Sequence, residues 1–218
     1  MSPLELIVIL VVTIPIVAVI ALALHFAARR RDFLKARAYG AAQLGWYPAP
    51  PSPWLVEVTA RLFQRGKAGE MVAGAFRDRG VCVLDYSYTT TSPNGQNHNC
   101  HLVALNLPVA LPPLTLDAES KLARLTGRDL ELESKAFNDA FRITCADNRY
   151  ASAVLHPRMM EWMLMNPGLR WHLAGNSLVS WGSGLWTLPD ILARLEAMSG
   201  VIDRIPPFVL RDYGHPVY

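Results

Sequence analysis

Between Leu6 and Ala28 the chain carries no Asp, Glu, Lys or Arg, and its polar members are Thr13 and His25. At about 1.5 Å per residue, a helix over this run matches a hydrocarbon core of about 30 Å. Pro15 lies inside it, and a membrane helix tolerates a proline by kinking. A cleaved signal peptide is the first alternative, but it needs a positively charged start and a shorter apolar run. Here the chain begins Met-Ser-Pro-Leu-Glu, and the apolar run continues past the small-residue site at Ala21-Leu22-Ala23. A buried core helix is the second alternative. The expectation is one N-terminal transmembrane helix over residues 1–28, touching the bilayer through residues 6–28.

Arg29, Arg30, Arg31, Lys35 and Arg37 follow this run, whereas only Glu5 precedes it. A basic flank on one side predicts an N-terminus outside and the remainder of the chain in the cytoplasm, at a cell membrane crossed once. The same five residues are candidates for contact with anionic lipid headgroups. Residues 29–53 then form a basic juxtamembrane helix and a linker. Within that linker Pro48, Pro50, Pro51 and Pro53 favour an extended spacer.

The rest of the composition excludes more than it identifies. A net charge of +3 over 218 residues is too mild for a nucleic-acid binder, which concentrates basic residues on one element. Cys82, Cys100 and Cys145 are odd in number and scattered, with no C-x-x-C pair, so a zinc ribbon or thioredoxin-like site is not indicated. No G-x-G-x-x-G or Walker-type glycine loop follows a strand, so the sequence points to no cofactor.

Residues 54–207 read as one compact α+β domain with antiparallel hairpins and packed helices, and 208–218 as an extended tail. Helical spacing covers Trp54 to Gln64. Strands are expected at Glu70–Arg77 and Val81–Thr90, joined by a turn at Asp78-Arg79-Gly80, and a third at Cys100–Leu107. Pro108 to Pro113 reads as a break, with Asp117 capping a helix that ends near Gly127. Phe141–Cys145 is a strand, Asp147 a cap, and Pro157 the start of a methionine-rich helix. Two further strands, Leu169–Ala174 and Leu178–Trp181, are expected to join at Gly175-Asn176. Thr187, Pro189 and Asp190 open the last helix, and Gly200 closes it.

Several clusters bear on chemistry. His98, Cys100 and His101 form an H-x-C-H group, with Asp85 or His156 as a further zinc ligand, or Cys100 or Cys145 as the nucleophile of a Cys/His hydrolase. Successive strand residues face opposite ways, however, which separates Cys100 from His101. Gly182-Ser183-Gly184 lacks the full nucleophile-elbow pattern. Met159, Met160, Met163 and Met165, and Trp162, Trp171, Trp181 and Trp186, read mainly as core. Asp129, Glu131 and Glu133 alternate along a solvated edge. No residue is assigned a catalytic, cofactor-binding or metal-binding role.

Lys135-Ala136-Phe137-Asn138-Asp139-Ala140-Phe141-Arg142-Ile143, followed by Ala151 to Leu155 and Pro157 to Met163, resembles a family of uncharacterised bacterial membrane-anchored proteins. Members share a Phe-Asn-x-x-Phe core and a Pro-x-x-Met helix, and the Tyr86–Thr90 strand is similar too. The resemblance implies a membrane-tethered α+β domain and supplies no catalytic residue. The function expected from these features is an adaptor or accessory domain that binds a membrane or cytoplasmic protein. The alternative is a membrane-tethered Cys/His hydrolase.

Overall fold

The computed structural model describes residues 3–90, 95–118, 132–184 and 186–217, with the side chains of 3–12 and 15 outside that description. The chain divides into two compact units, Met1–Gln43 and Leu44–Tyr218.

The first unit is one helix, α1 (Pro3–Gln43). It corrects the expected transmembrane helix, because among the described residues no helix is long and apolar enough to cross a membrane. Arg29, Arg30, Arg31 and Asp32 follow Ala28 directly and end the apolar run there. The side chains of Leu6 to Val12 lie outside the described residues. Within α1, Ile14, Val17, Val19, Leu22, Leu24 and Phe26 are all exposed. Arg29, Arg30, Arg31 and Lys35 are exposed as well, whereas Arg37 is buried.

The second unit is α+β, with one antiparallel sheet of six strands. Its spine is β4 (Asn97–Ala118), 22 residues long. One edge of β4 pairs first with β3 (Arg79–Thr89) and further along with β5 (Phe141–Cys145). The other edge pairs with β6 (Trp171–Ser183) over most of its length. Beyond β3 lie β2 (Gly66–Phe76) and the short β1 (Tyr47–Ala49). The proline-rich segment therefore enters the sheet. Pro48 sits in the edge strand β1, where a missing N–H is tolerated.

The β2–β3 turn is tighter than the sequence suggests. Phe76 pairs with Arg79, so Arg77 and Asp78 are the two loop residues, with φ of 47° and 62°. Two-residue hairpins require this left-handed pair because it matches strand twist.

Two expectations fail together in the middle of the sheet. Pro108 to Pro113 lies inside β4, and Gly175-Asn176 lies inside a single strand β6. The β4–β6 register shifts between Asn106 and Leu111 and again before Leu114. Gly175, with φ of 56°, faces Leu111 at this irregularity. The left-handed glycine makes a bulge here rather than a turn. Ala110 also bridges to His215 through two backbone hydrogen bonds of 2.9 Å. Asp117 lies within β4, paired with Arg142, where a helix cap was expected. Its Oδ1 accepts from the Ala118 N–H at 2.7 Å and lies 3.4 Å from Arg170 Nε. The helix expected up to Gly127 lies outside the described residues, as do Asp129 and Glu131.

Helices cover both faces of the sheet. On one face, α2 (Pro53–Leu62) sets Leu55 and Val58 against Met71, Leu84, Tyr86, Leu102 and Trp181. The opposite face carries α6 (Leu188–Ile202), which packs on β4 and β6 and buries Ile191, Leu195 and Met198. Thr187 and Asp190 close a reciprocal capping box at its start. Between these layers in sequence come α3 (Lys135–Ala140), capped by Ser134, α4 (Asn148–Val154), capped by Asp147, and α5 (Pro157–Met165). Residues 208–212, expected as part of an extended tail, belong to α7 (Pro207–Asp212).

Gly200 does not end α6 but lies within it. Trp162 of α5 rests on it, and a Cβ there would overlap Trp162 Cζ2. Gly74 admits Trp46 in the same way, and the Trp46 Nε1–H donates to the Ala75 carbonyl at 2.9 Å. Gly200→Ala should therefore act against helix propensity. Propensity alone favours Ala in a helix interior by about 1 kcal/mol, whereas overpacking costs about 1–3 kcal/mol. The expected outcome is a lower urea midpoint, followed by tryptophan fluorescence. A raised midpoint would show that Trp162 yields without cost.

Candidate functional site

The antiparallel register sets Asp85 of β3 directly beside His101 of β4. Their side chains share the α6 face of the sheet, and His101 Nδ1 lies 2.5 Å from Asp85 Oδ1. The His101 side chain is only 4% exposed, and its Nε2 has no hydrogen-bond partner among the described residues. Trp186 covers it, with ring centroids 5.9 Å apart. The indole reaches this position because Gly182 is the cross-strand partner of His101, and a Cβ on Gly182 would overlap Trp186 Cζ2.

Arg194, on the second turn of α6, also packs on the indole. Its Cζ lies 4.8 Å from the Trp186 ring centroid, within cation–π range. Arg194 Nη1 donates to the Gly168 carbonyl at 2.9 Å and to Ser180 Oγ at 3.3 Å. Ser180 in turn donates to the Arg170 carbonyl. The order is therefore carboxylate, imidazole, indole, guanidinium. Burial, and secondarily the nearby Arg170, hold Arg194 below its ordinary pKa.

Trp186 and Arg194 also line an open cleft of about 500 Å³ between the turn after α5 and the outer side of α6. Asn166, Gly168, Leu169, Asp190 and Ala193 complete much of its wall. Hydrogen bonds from Thr187 hold the Asp190 carboxyl below the usual carboxylate range, so it is ionised at neutral pH.

The H-x-C-H cluster is not brought together. Cys100 faces the α2 core with Tyr86 and Leu102, away from His101. His98 stacks on Tyr88 at 5.2 Å. His156 is used elsewhere, with Nε2 2.9 Å from the Arg204 carbonyl oxygen. Among the described residues no group of three or more His, Cys, Asp or Glu is placed to hold a metal ion. Burial, with a smaller contribution from Asp85, pushes the Cys100 thiol up to about 12, which opposes a thiolate nucleophile. Cys145 is also raised, chiefly by burial. Met159, Met160 and Met163 are core, whereas Met165 is exposed. Gly182-Ser183-Gly184 ends β6, and Glu133 is exposed.

Sequence reasoning had Asp85 and His101 in hand as metal ligands but missed Trp186 and Arg194 as their cover. The available signal was local. Asp190 and Arg194 stand four apart, directly after a tryptophan and a capping threonine.

No protein-family model matches the chain, and no curated protein matches it. Among solved structures it is similar to the crystal structure of the mycobacterial trehalose monomycolate transport factor A, TtfA, with a TM-score of 0.56 and 14% identity. The match covers 86% of this chain and 99% of that one. At this identity the likeness is one of fold.

Two measurements test the chemistry of these groups. In the folded protein, iodoacetamide at pH 8 should label Cys100 at least about tenfold more slowly than an ordinary free thiol. Peptide mass spectrometry reads this directly, and rapid labelling would restore Cys100 as a nucleophile. His172 sits opposite Thr115, with Nδ1 2.8 Å from Thr115 Oγ1, and burial lowers its pKa. Below about pH 6.5 the unfolded chain binds the proton more readily than the folded one. Stability should therefore fall as pH drops below that value, and His172→Gln should flatten the dependence in urea titrations between about pH 5 and 7.

Proposed function

We propose that this protein is an accessory factor working at a membrane, where its unit Leu44–Tyr218 engages a partner protein in the handling or transport of an amphiphile. The observation that carries this reading is α1. It exposes Ile14, Ile16, Val17, Val19, Ile20, Leu22, Leu24 and Phe26 and then presents Arg29, Arg30, Arg31 and Lys35 to solvent. Such an exposed patch is costly in water and marks a site of membrane or protein contact. The adjoining cations suit anionic headgroups at about 1 kcal/mol each near the surface. The negative surface potential of the cytoplasmic leaflet favours that side of a cell membrane for these cations. Arg37, being buried, drops out of the headgroup set.

Two likenesses support the reading. The fold is similar to that of a trehalose monomycolate transport factor, and the Phe137–Met163 region resembles a bacterial membrane-anchored family. The hydrolase alternative is not favoured, because Cys100 and His101 face opposite sides of the sheet and the Cys100 thiol is held protonated.

The test is co-flotation of the full-length protein with vesicles, together with extraction from membranes in mild detergent. Anionic vesicles should carry the protein. Replacing Arg29, Arg30 and Arg31 by Glu should weaken that binding at least about tenfold. A partner protein should co-purify in a fixed ratio. Protein that stays in the soluble fraction and repeatedly purifies alone would overturn the proposal.

A further inference from the structure

The cleft beside α6 holds two opposite charges that sequence spacing should have paired. Asp190 and Arg194 are four residues apart on a helix, the spacing at which carboxylate and cation normally meet. Here no ion pair joins them. Asp190 Oδ2 is turned back toward the helix start, accepting from the Thr187 N–H at 2.8 Å and from Thr187 Oγ1 at 2.6 Å. Arg194 is drawn the other way, stacked on Trp186 and bonded to Gly168 and Ser180. Both side chains nevertheless line the same cleft of about 500 Å³, whose wall also includes Leu169, Ala193 and Ala197. That volume is in the range of small-ligand sites.

We propose that this cleft binds a small zwitterionic group, an oxyanion joined to an ammonium, with Arg194 taking the oxyanion and Asp190 the ammonium. The contacts that hold the two side chains apart also fix their geometry before a ligand arrives. Arg194 uses Nη1 for the protein, and a guanidinium has five N–H donors, so several remain for an oxyanion. Asp190 Oδ2 serves the capping box, which leaves Oδ1 to accept from an ammonium. A lone anion would meet Asp190 as a like charge, and a lone cation would meet Arg194. A ligand carrying both signs matches the cleft at each end. Trp186 already carries His101 and Arg194 against its ring, so this indole serves as a wall of the cleft.

The probe is phosphoethanolamine, titrated into isotope-labelled full-length protein in a nonionic maltoside. Nuclear magnetic resonance follows the Arg194 Nε–H and the Trp186 indole N–H. A saturable shift of both is expected. Inorganic phosphate and ethanolamine, tested separately, should each bind at least about tenfold more weakly. Arg194→Gln should weaken binding by a similar factor. Ala193→Phe fills the cleft from an exposed position without touching either charge, and it should do the same in a protein that remains folded. The proposal is overturned by the absence of a saturable shift, by unchanged affinity in Ala193→Phe, or by phosphate binding as tightly as phosphoethanolamine.

Vesicles with and without phosphatidylethanolamine identify the source. A headgroup-dependent gain that Arg194→Gln abolishes assigns the ligand to lipid, and soluble binding without that gain assigns it to a free zwitterion. Either source satisfies the proposal. Because the first probe is soluble, its failure leaves the membrane-accessory reading standing. Loss of vesicle binding on substituting Arg29 to Arg31 likewise leaves the cleft standing.

Discussion

Pairing of β4 along both edges is the constraint on which the whole second unit depends. Its 22 residues far exceed the usual five or six of a strand, and a ladder that long cannot stay flat. Both β4 and β6 are irregular at the same level, around Pro108–Pro113 and Gly175. Pairing therefore resumes on the far side, and β5 can add to β4 beyond the point where β3 has ended. Register on the near side decides which side chain meets which helix. Cys100, Leu102 and Ala104 face α2, so His101 must face α6 and stand beside Asp85. A slip of one residue would exchange Cys100 and His101 between the two faces.

Where structure follows from neighbours in sequence, the sequence was readable. Asp147 and Thr187 cap because a short oxygen-bearing side chain reaches N–H groups two or three residues on. Pro157 starts a helix for an equally local reason. The failures come from residues whose state is set by distant partners. Pro108 to Pro113 is strand because β6 and the segment at His215 pair around it. Gly175-Asn176 has hairpin chemistry, but β4 is already present to take both halves as one strand. Gly200 looked like a terminator because nothing in sequence announces Trp162 lying on it. The N-terminal run is apolar by composition, yet among the described residues no helix is long and apolar enough to cross a membrane.

The candidate site shows the same division. Asp85, His101 and Cys100 were visible as chemistry-bearing residues, but sheet register determined which two of them meet. Trp186 and Arg194 were invisible as partners, since they come from a loop and a helix far along the chain. Their stacking follows from Gly182, whose missing side chain lets the indole descend onto the strand. A partly buried guanidinium loses some hydration, and here two acceptors and an aromatic face replace part of it. The outcome is a fixed cation at the rim of a cleft, held by the same packing that seals His101 from solvent.

The Ala110–His215 bridge has a consequence for biosynthesis. On a ribosome β4 emerges after β2 and β3, and β3 can pair with one of its edges at once. The other edge waits for Trp171–Ser183, and the irregular middle waits for the segment around His215. During that interval a long strand rich in Leu and Val stands with one side open, the condition under which nascent chains join one another instead of themselves. The prolines at 108, 112 and 113 lie within that open strand and lack the N–H groups a stray partner would use. Residues that look ill-suited to the finished sheet thus guard it while it is being made.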